Sequence, residues 1–195
     1  MVDFDGLLCD MKPFTGELQT GGRDRWSRFF AHTPHAGPVV AGVELLARVD
    51  ALGWRYAVST TRPAMPGVRE LITNWLAAHL SSLQPPAAVS LRKKAELSAA
   101  DHKFKHCMTC GSNKPLVALF VDDEDAVIDE LVNRGAPAVS LGEVAGLNDA
   151  ELADLLEYSR NARLTQWQER RNRVKAKKQQ HYRQMAREAR EKKHV

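Results

Sequence analysis

The run Leu116-Val117-Ala118-Leu119-Phe120-Val121 is apolar at every position and stops at Asp122-Asp123. A strand with one wet face alternates apolar and polar residues; a strand with no polar position must be covered on both faces. A parallel sheet between two helical layers meets that demand, and it requires β-α-β connections with right-handed crossovers. The rest of the chain supplies the pieces. Val2 to Asp5 reads as a short first strand, Trp54 to Ser59 as a second halted at Thr60-Thr61-Arg62-Pro63, and Ala87 to Leu91 and Ala138 to Leu141 as two more. Between them, residues 38–53, 65–80, 97–110 and 126–133 carry apolar residues at helical spacing, and Gly53, Gly111 and Gly135 close three of the runs. The pattern predicts an α/β fold, a three-layer α/β sandwich around a central parallel sheet.

In such sheets ligands sit outside the carboxyl ends of the strands. The first strand ends at Asp3 and Asp5, the second at Thr60, and the apolar strand at Asp122-Asp123. These sets should converge on one rim. Gly6 allows a sharp turn directly after Asp5, so the two carboxylates need not point the same way. Acids gathered without opposing charge repel one another, and a hard divalent cation relieves that cost. Asp3, Asp122, Asp123 and the backbone carbonyl of Asp5 are the candidate ligands for Mg²⁺. The free oxygen of Asp3 is a candidate nucleophile on phosphorus, with Asp5 moving the proton of the leaving oxygen and then of water. Thr60 and a lysine would hold the phosphoryl oxygens. Taken singly, D-x-D-G is a common solvated turn and Asp122-Asp123 a common helix cap. The three sets together, each at a strand end, point away from those readings.

The motifs resemble those of the haloacid dehalogenase superfamily of phosphatases. Asp3-Phe4-Asp5-Gly6 is similar to its first motif, Thr60-Thr61-Arg62 after a strand to its second, and Leu119-Phe120-Val121-Asp122-Asp123 to its fourth. Within it the chain looks most like the 3′-phosphatase domain of phage-type polynucleotide kinase–phosphatases, over about residues 1 to 141. That group carries an Arg…Asp…Lys block that Arg92, Asp101 and Lys105 match in spacing. For the third-motif lysine, Lys105 keeps the step from Asp101, while Lys103 better keeps the distance to Asp122; Lys105 is favoured and Lys103 is the alternative. The residue after Gly6 is Leu7, where the family often has threonine, and no G-x-x-x-x-G-K-[ST] phosphate loop is present. The resemblance implies a Mg²⁺-dependent phosphomonoesterase acting through an aspartyl-phosphate on nucleotide or polynucleotide 3′-phosphate ends. It implies catalytic Asp3, Asp5, Thr60 and Lys105, with Thr61, Arg62 and Arg92 binding substrate. Arg62 and Arg92 read equally well as surface charges. The alternatives are a 5′(3′)-nucleotidase or other small-molecule phosphatase and, in a different class, a nucleic-acid-binding or scaffold protein with a phosphatase-like core.

Charge divides the chain. Residues 160–195 hold 13 Lys and Arg against 3 Asp and Glu, a net of +10, leaving 15 against 21, a net of −6, elsewhere. The boundary is drawn at a phosphatase domain over 1–147, with residues 10–37 as a loop or lid, and a basic helical arm over 148–195. Arg170, Arg171, Arg173, Lys175, Lys177 and Lys178 are the arm's candidate phosphate contacts. A thin apolar stripe through Leu156, Leu164, Trp167, Val174, Tyr182 and Met185 leaves a protein partner or self-association open. In the loop, Phe29 and Phe30 read as plugs for the core edge, Trp26 reads equally well as a plug or as part of a functional lid, and His32 and His35 read as loop histidines. Cys107 and Cys110 with His102 and His106 have metal-ligand types, but a single C-x-x-C lacks the second pair of a zinc site, and buried helix cysteines are the plainer reading. The odd number of cysteines, 3, argues against a disulfide framework and for a reducing cytoplasm. No apolar run approaches the ~18 residues of a membrane span, and no secretory signal is visible.

Overall fold

The computed structural model describes residues 1–22, 24–93, 96–108 and 116–191, with backbone only over 181–184 and 186–191. The expected end of the third long helix, with Cys110 and Gly111, lies outside the described residues. Five parallel strands form one sheet: β1 (Val2–Asp3), β2 (Val58–Pro63), β3 (Val89–Arg92), β4 (Phe120–Asp122) and β5 (Ala138–Ser140), in the order β3-β2-β1-β4-β5. The helices are α1 (Gly16–Gln19), α2 (Arg25–Ala31), α3 (Val40–Ala51), α4 (Val68–His79), α5 (Ala99–Met108), α6 (Asp125–Asn133), α7 (Leu141–Ala145) and α8 (Asp149–Glu191). Among the described residues, no helix is long and apolar enough to cross a membrane.

Both faces of the sheet are covered, as the apolar run demands. On one face Val2, Phe4, Val58 and Val121 pack with Leu45 and Leu46 of α3, Ile72 and Trp75 of α4, Val144 of α7 and Leu152 of α8. On the other, Phe120 and Ala138 pack with Cys107 of α5 and with Val127, Ile128 and Leu131 of α6. The apolar run itself is only partly strand. Its ladder begins at Phe120, because β1 and β5 start at Val2 and Ala138, and Leu116 to Leu119 approach from below them.

Two further differences bear on the site. β2 starts four residues later than the sequence predicts and runs through Thr60, Thr61 and Arg62. Its register against β3 slips between Ser59 and Pro63, an irregularity that re-aims the side chains there. The segment 10–37 is not an irregular loop. It holds α1, α2 and two 3₁₀ turns, Lys12–Phe14 and Thr33–His35, and buries Phe29, Phe30 and Thr33. Its helices are too short to show a period.

The turn after β1 is built from the backbone outward. Cys9 and Leu8 N–H both donate to the Phe4 carbonyl, at 2.9 and 3.1 Å, and Gly6 N–H donates to Cys9 at 3.0 Å. Gly6 stands at φ +84°, where a side chain is strained, and a Cβ there would also run into the Asp123 carboxylate. Leu7 and Leu8 are buried beneath, with the Leu7 carbonyl so close to α3 that a Cβ at Gly42 would collide with it.

Candidate active site

Asp3 closes β1, with Ser59 of β2 beside it in register. On the other side β4 ends at Asp122, and Asp123 follows. Asp3 and Asp122 are buried, as is Lys103 on α5, whose Nζ lies 3.2 Å from Asp3 Oδ1 and 2.8 Å from Asp122 Oδ2. Carboxylate oxygens of Asp3, Asp122 and Asp123 all fall within 4.8 Å of one another. Asp122 serves two purposes. Its Oδ1 accepts from the N–H groups of Asp123 and Glu124, at 3.1 and 3.2 Å, which holds the turn into α6. Its Oδ2 faces the cluster.

The cluster has too little positive charge. One ammonium stands against two buried carboxylates, with a third beside them. Asp3 Oδ1 and Asp122 Oδ2 both lie within ion-pair distance of the Lys103 ammonium, and no other donor among the described residues reaches them. Burial pushes the Asp3 carboxyl well above its usual range; Lys103 pulls it back in part, and Asp122 and Asp5 push it further up. Burial alone would lower Lys103, but Asp3 and Asp122 more than reverse this and hold it above the ordinary lysine range. Burial, then Asp122, also raises Asp123. Oxygen-only donors, two of them buried with one ammonium between them, suit a hard divalent cation.

Asp5 faces the other way. Arg62 Nη2 donates to its Oδ1 at 2.6 Å and Nε to its Oδ2 at 3.0 Å, a two-pronged grip. Thr60 Oγ1 donates to Asp5 Oδ2 at 3.3 Å and accepts from the Arg62 N–H at 3.1 Å. Arg62 is itself buried. Its guanidinium lies 4.9 Å from the Phe4 ring centroid and 4.8 Å from that of Phe30, and Nη1 donates to Thr33 Oγ1 at 2.6 Å. Arg62 thus ties Asp5 to the 10–37 segment.

No family model matches the chain, and no curated protein matches it. The geometry therefore carries the reading of each expected residue. Asp3, Asp122 and Asp123 come together. Lys103 stands in the place expected of Lys105, which lies two residues on along α5, about 200° round the helix, and is exposed. Asp101 accepts from Ser98 at the start of α5 and pairs with Arg134 at 3.0 Å. Arg62 is neither a surface charge nor placed for a substrate phosphate, because burial and Asp5 consume its guanidinium. Thr61 and Arg92 are half-buried on the same rim, Arg92 two strands away from Asp3.

Three features lay beyond the sequence reading. His106 Nδ1 lies 2.8 Å from the buried Ser59 Oγ, fastening α5 under β2 beside Asp3. Thr33 as the anchor of Arg62 had no sequence signal. The capping box of Ser140 and Glu143 that starts α7 did have one, the S-x-x-E spacing. Burial pushes the thiols of Cys9 and Cys107 up to about 12.

The basic arm leaves from the opposite end of the strands. Leu152 and Leu156 of α8 line an apolar cavity of about 360 Å³ with Met1, Ala57 and Leu119, residues at the amino ends of β1, β2 and β4. Farther along, Arg160 lies over the Trp54 ring at 5.8 Å, and the buried Arg163 reaches the Cys107 carbonyl at 3.4 Å. Arg170, Arg171, Arg173, Lys175, Lys177 and Lys178 follow, all exposed.

Proposed function

We propose that the chain is a Mg²⁺-dependent phosphomonoesterase of the haloacid dehalogenase type, acting on polynucleotide 3′-phosphate ends. The observation that carries the reading is the buried Asp3–Lys103–Asp122 bridge with Asp123 beside it, at the carboxyl ends of adjacent parallel strands. Asp3, Asp122 and Asp123 would hold Mg²⁺, which when bound neutralises phosphoryl oxygens as they approach these acids.

The remaining roles fall to the chain's own groups. An Asp3 oxygen attacks phosphorus, forming an aspartyl-phosphate as the bond to the leaving oxygen breaks, and Asp5 gives that oxygen its proton. Asp5 then takes a proton from water as water attacks the same phosphorus and frees Asp3. Lys103 offsets in part the pull of burial on the Asp3 charge. Arg62 and Thr60 hold Asp5 in one orientation through both steps. The nucleic-acid substrate class is supported by the resemblance and by the charge of the arm.

The test is phosphate release from 3′-phosphorylated oligonucleotides, mononucleotides and sugar phosphates, with Mg²⁺ and with EDTA. The reading expects oligonucleotide ends to be preferred, EDTA to stop turnover, and Asp3→Asn to abolish it. Preference for mononucleotides would make the chain a small-molecule nucleotidase. Full turnover in Asp3→Asn would sink the covalent route, and inactivity on every phosphate would leave a phosphatase-like binding protein.

A further inference from the structure

The outer half of α8 has a pattern of which the phosphatase reading uses only the net charge. From Trp167 to Gln180 it carries six cations against the single Glu169. At 100° per residue Trp167, Val174 and Met185 fall within about 20° of one another. Arg170, Arg173 and Lys177 lie on one side of that line and Arg171, Lys175 and Lys178 on the other. The back of the helix is left to Gln168, Asn172, Ala176 and Gln179, with Glu169. All the described side chains beyond Arg163 are exposed, and the Arg171 guanidinium sits 5.2 Å from the Trp167 ring. This is a one-sided surface: a narrow apolar line with a row of cations along each edge.

We infer that this half of α8 is a duplex-DNA site that seats in a major groove, on the side of the body away from the acid rim. A helix with its side chains is about 10–12 Å across, and the major groove of B-form DNA is about 12 Å wide. A helix lying in it meets a phosphate wall on each side and base edges in front. The two cation rows match the walls, and Trp167 and Val174 face the bases. Four large apolar residues from Trp167 to Met185, Tyr182 included, are too few to bury a face in a lipid surface. The underside placement of Leu152, Leu156, Arg160 and Arg163 keeps the site clear of Asp3. The inference does not depend on catalysis: a protein without phosphatase activity that still binds duplex DNA would sink the reading above and leave this one.

The experiment titrates the full chain with an unphosphorylated DNA duplex of about 20 base pairs, following Trp167 emission against a Trp167→Phe control. Six phosphate contacts predict that affinity falls on the order of 10³-fold between 50 and 200 mM salt. Replacing one row, Arg170→Gln with Arg173→Gln and Lys177→Gln, should lower the salt slope by about half; these side chains are exposed, so folding is not at stake. Double-stranded RNA has a deep, narrow major groove and should bind at least about tenfold more weakly. Asp3→Asn should leave DNA affinity unchanged. Four results would overturn the inference: an unchanged slope in the row variant, equal binding of RNA, loss of DNA binding in Asp3→Asn, or binding to anionic vesicles with none to DNA.

Discussion

Among the described residues Lys103 is the one cation within ion-pair distance of both Asp3 and Asp122, so its removal tests the site without an assay of activity. Lys103→Met keeps most of the volume and removes the charge. Breaking a buried ion pair from one side costs about 3–5 kcal/mol, because the partner stays buried and unpaired; here two partners stay. For a chain of this size a kcal/mol moves Tm by about 2–4 °C, so the variant should melt roughly 6–20 °C lower in EDTA at neutral pH.

The pH dependence fixes the cause. Asp3 has a folded pKa raised above its unfolded value, so its contribution is full below about pH 4 and is lost as pH rises through the raised value. Without Lys103, Asp3 loses the charge that lowers it and rises further. The penalty of Lys103→Met should therefore be small in acid and grow toward neutral pH. In the wild type, Lys103 adds stability that is full below about pH 10.5 and lost above it, through its own raised value. Mg²⁺ should stabilise Lys103→Met more than the wild type, since the cation meets two carboxylates with no counter-charge. Lys105 is exposed, and Lys105→Met should change stability by less than about 1 kcal/mol. The reasoning fails if thermal melts in EDTA show Lys103→Met at the wild-type temperature and Lys105→Met well below it.

Arg62→Met should lower stability by about 2–4 kcal/mol by urea unfolding and lower kcat more than KM; Arg62→Lys should not restore kcat, because an ammonium cannot grip both oxygens of Asp5. An unchanged kcat in either variant would remove Arg62 from the positioning of Asp5. Gly6→Ala forces a side chain into φ +84° at about 1–2 kcal/mol and displaces the Asp123 carboxylate, so the Mg²⁺ concentration for half-maximal activity should rise while the circular dichroism spectrum holds. Truncation after Gln166 should leave the melting temperature and the hydrolysis of a small phosphate ester unchanged. A cut at Arg160 removes the buried Arg163 and should lower the melt clearly; equal melts for the two cuts would contradict the packing of α8.

The architecture was legible because it follows from period and polarity. Leu116 to Val121 demanded two covered faces, and Asp3, Asp5, Thr60 and Asp122 marked one rim. What sequence could not resolve depends on rotation or on distant contacts. Lys103 and Lys105 differ by two residues, and only the phase of α5 against the sheet decides which faces Asp3. That phase comes from packing of residues such as Cys107 and His106, not from local spacing. Arg62 follows two polar residues at a strand end, where an exposed cation is the ordinary reading. Its burial depends on Phe30 and Thr33, about thirty residues upstream, in a segment whose helices are too short to show a period. The register slip in β2 is likewise a property of the pair β2–β3.

Placing the two charged regions at opposite ends of the strands has an electrostatic consequence. β2 runs from Val58 to Pro63 and so spans about 20 Å at ~3.3 Å per residue. At physiological salt exposed charges are screened over about 8 Å. The arm's exposed cations therefore do little to the potential at Asp3 and Asp122, even though the arm's net +10 is larger than the −6 of the rest. The charge the cluster experiences is set by Lys103, among the described residues the one ammonium within ion-pair distance of both buried acids. Arg62, which could have added a second, is committed to Asp5. A cation at Asp3, Asp122 and Asp123 should thus bind with the same affinity whether or not the arm is present. Polyanion binding on the arm and cation binding at the rim can then be tuned by substitution independently of each other.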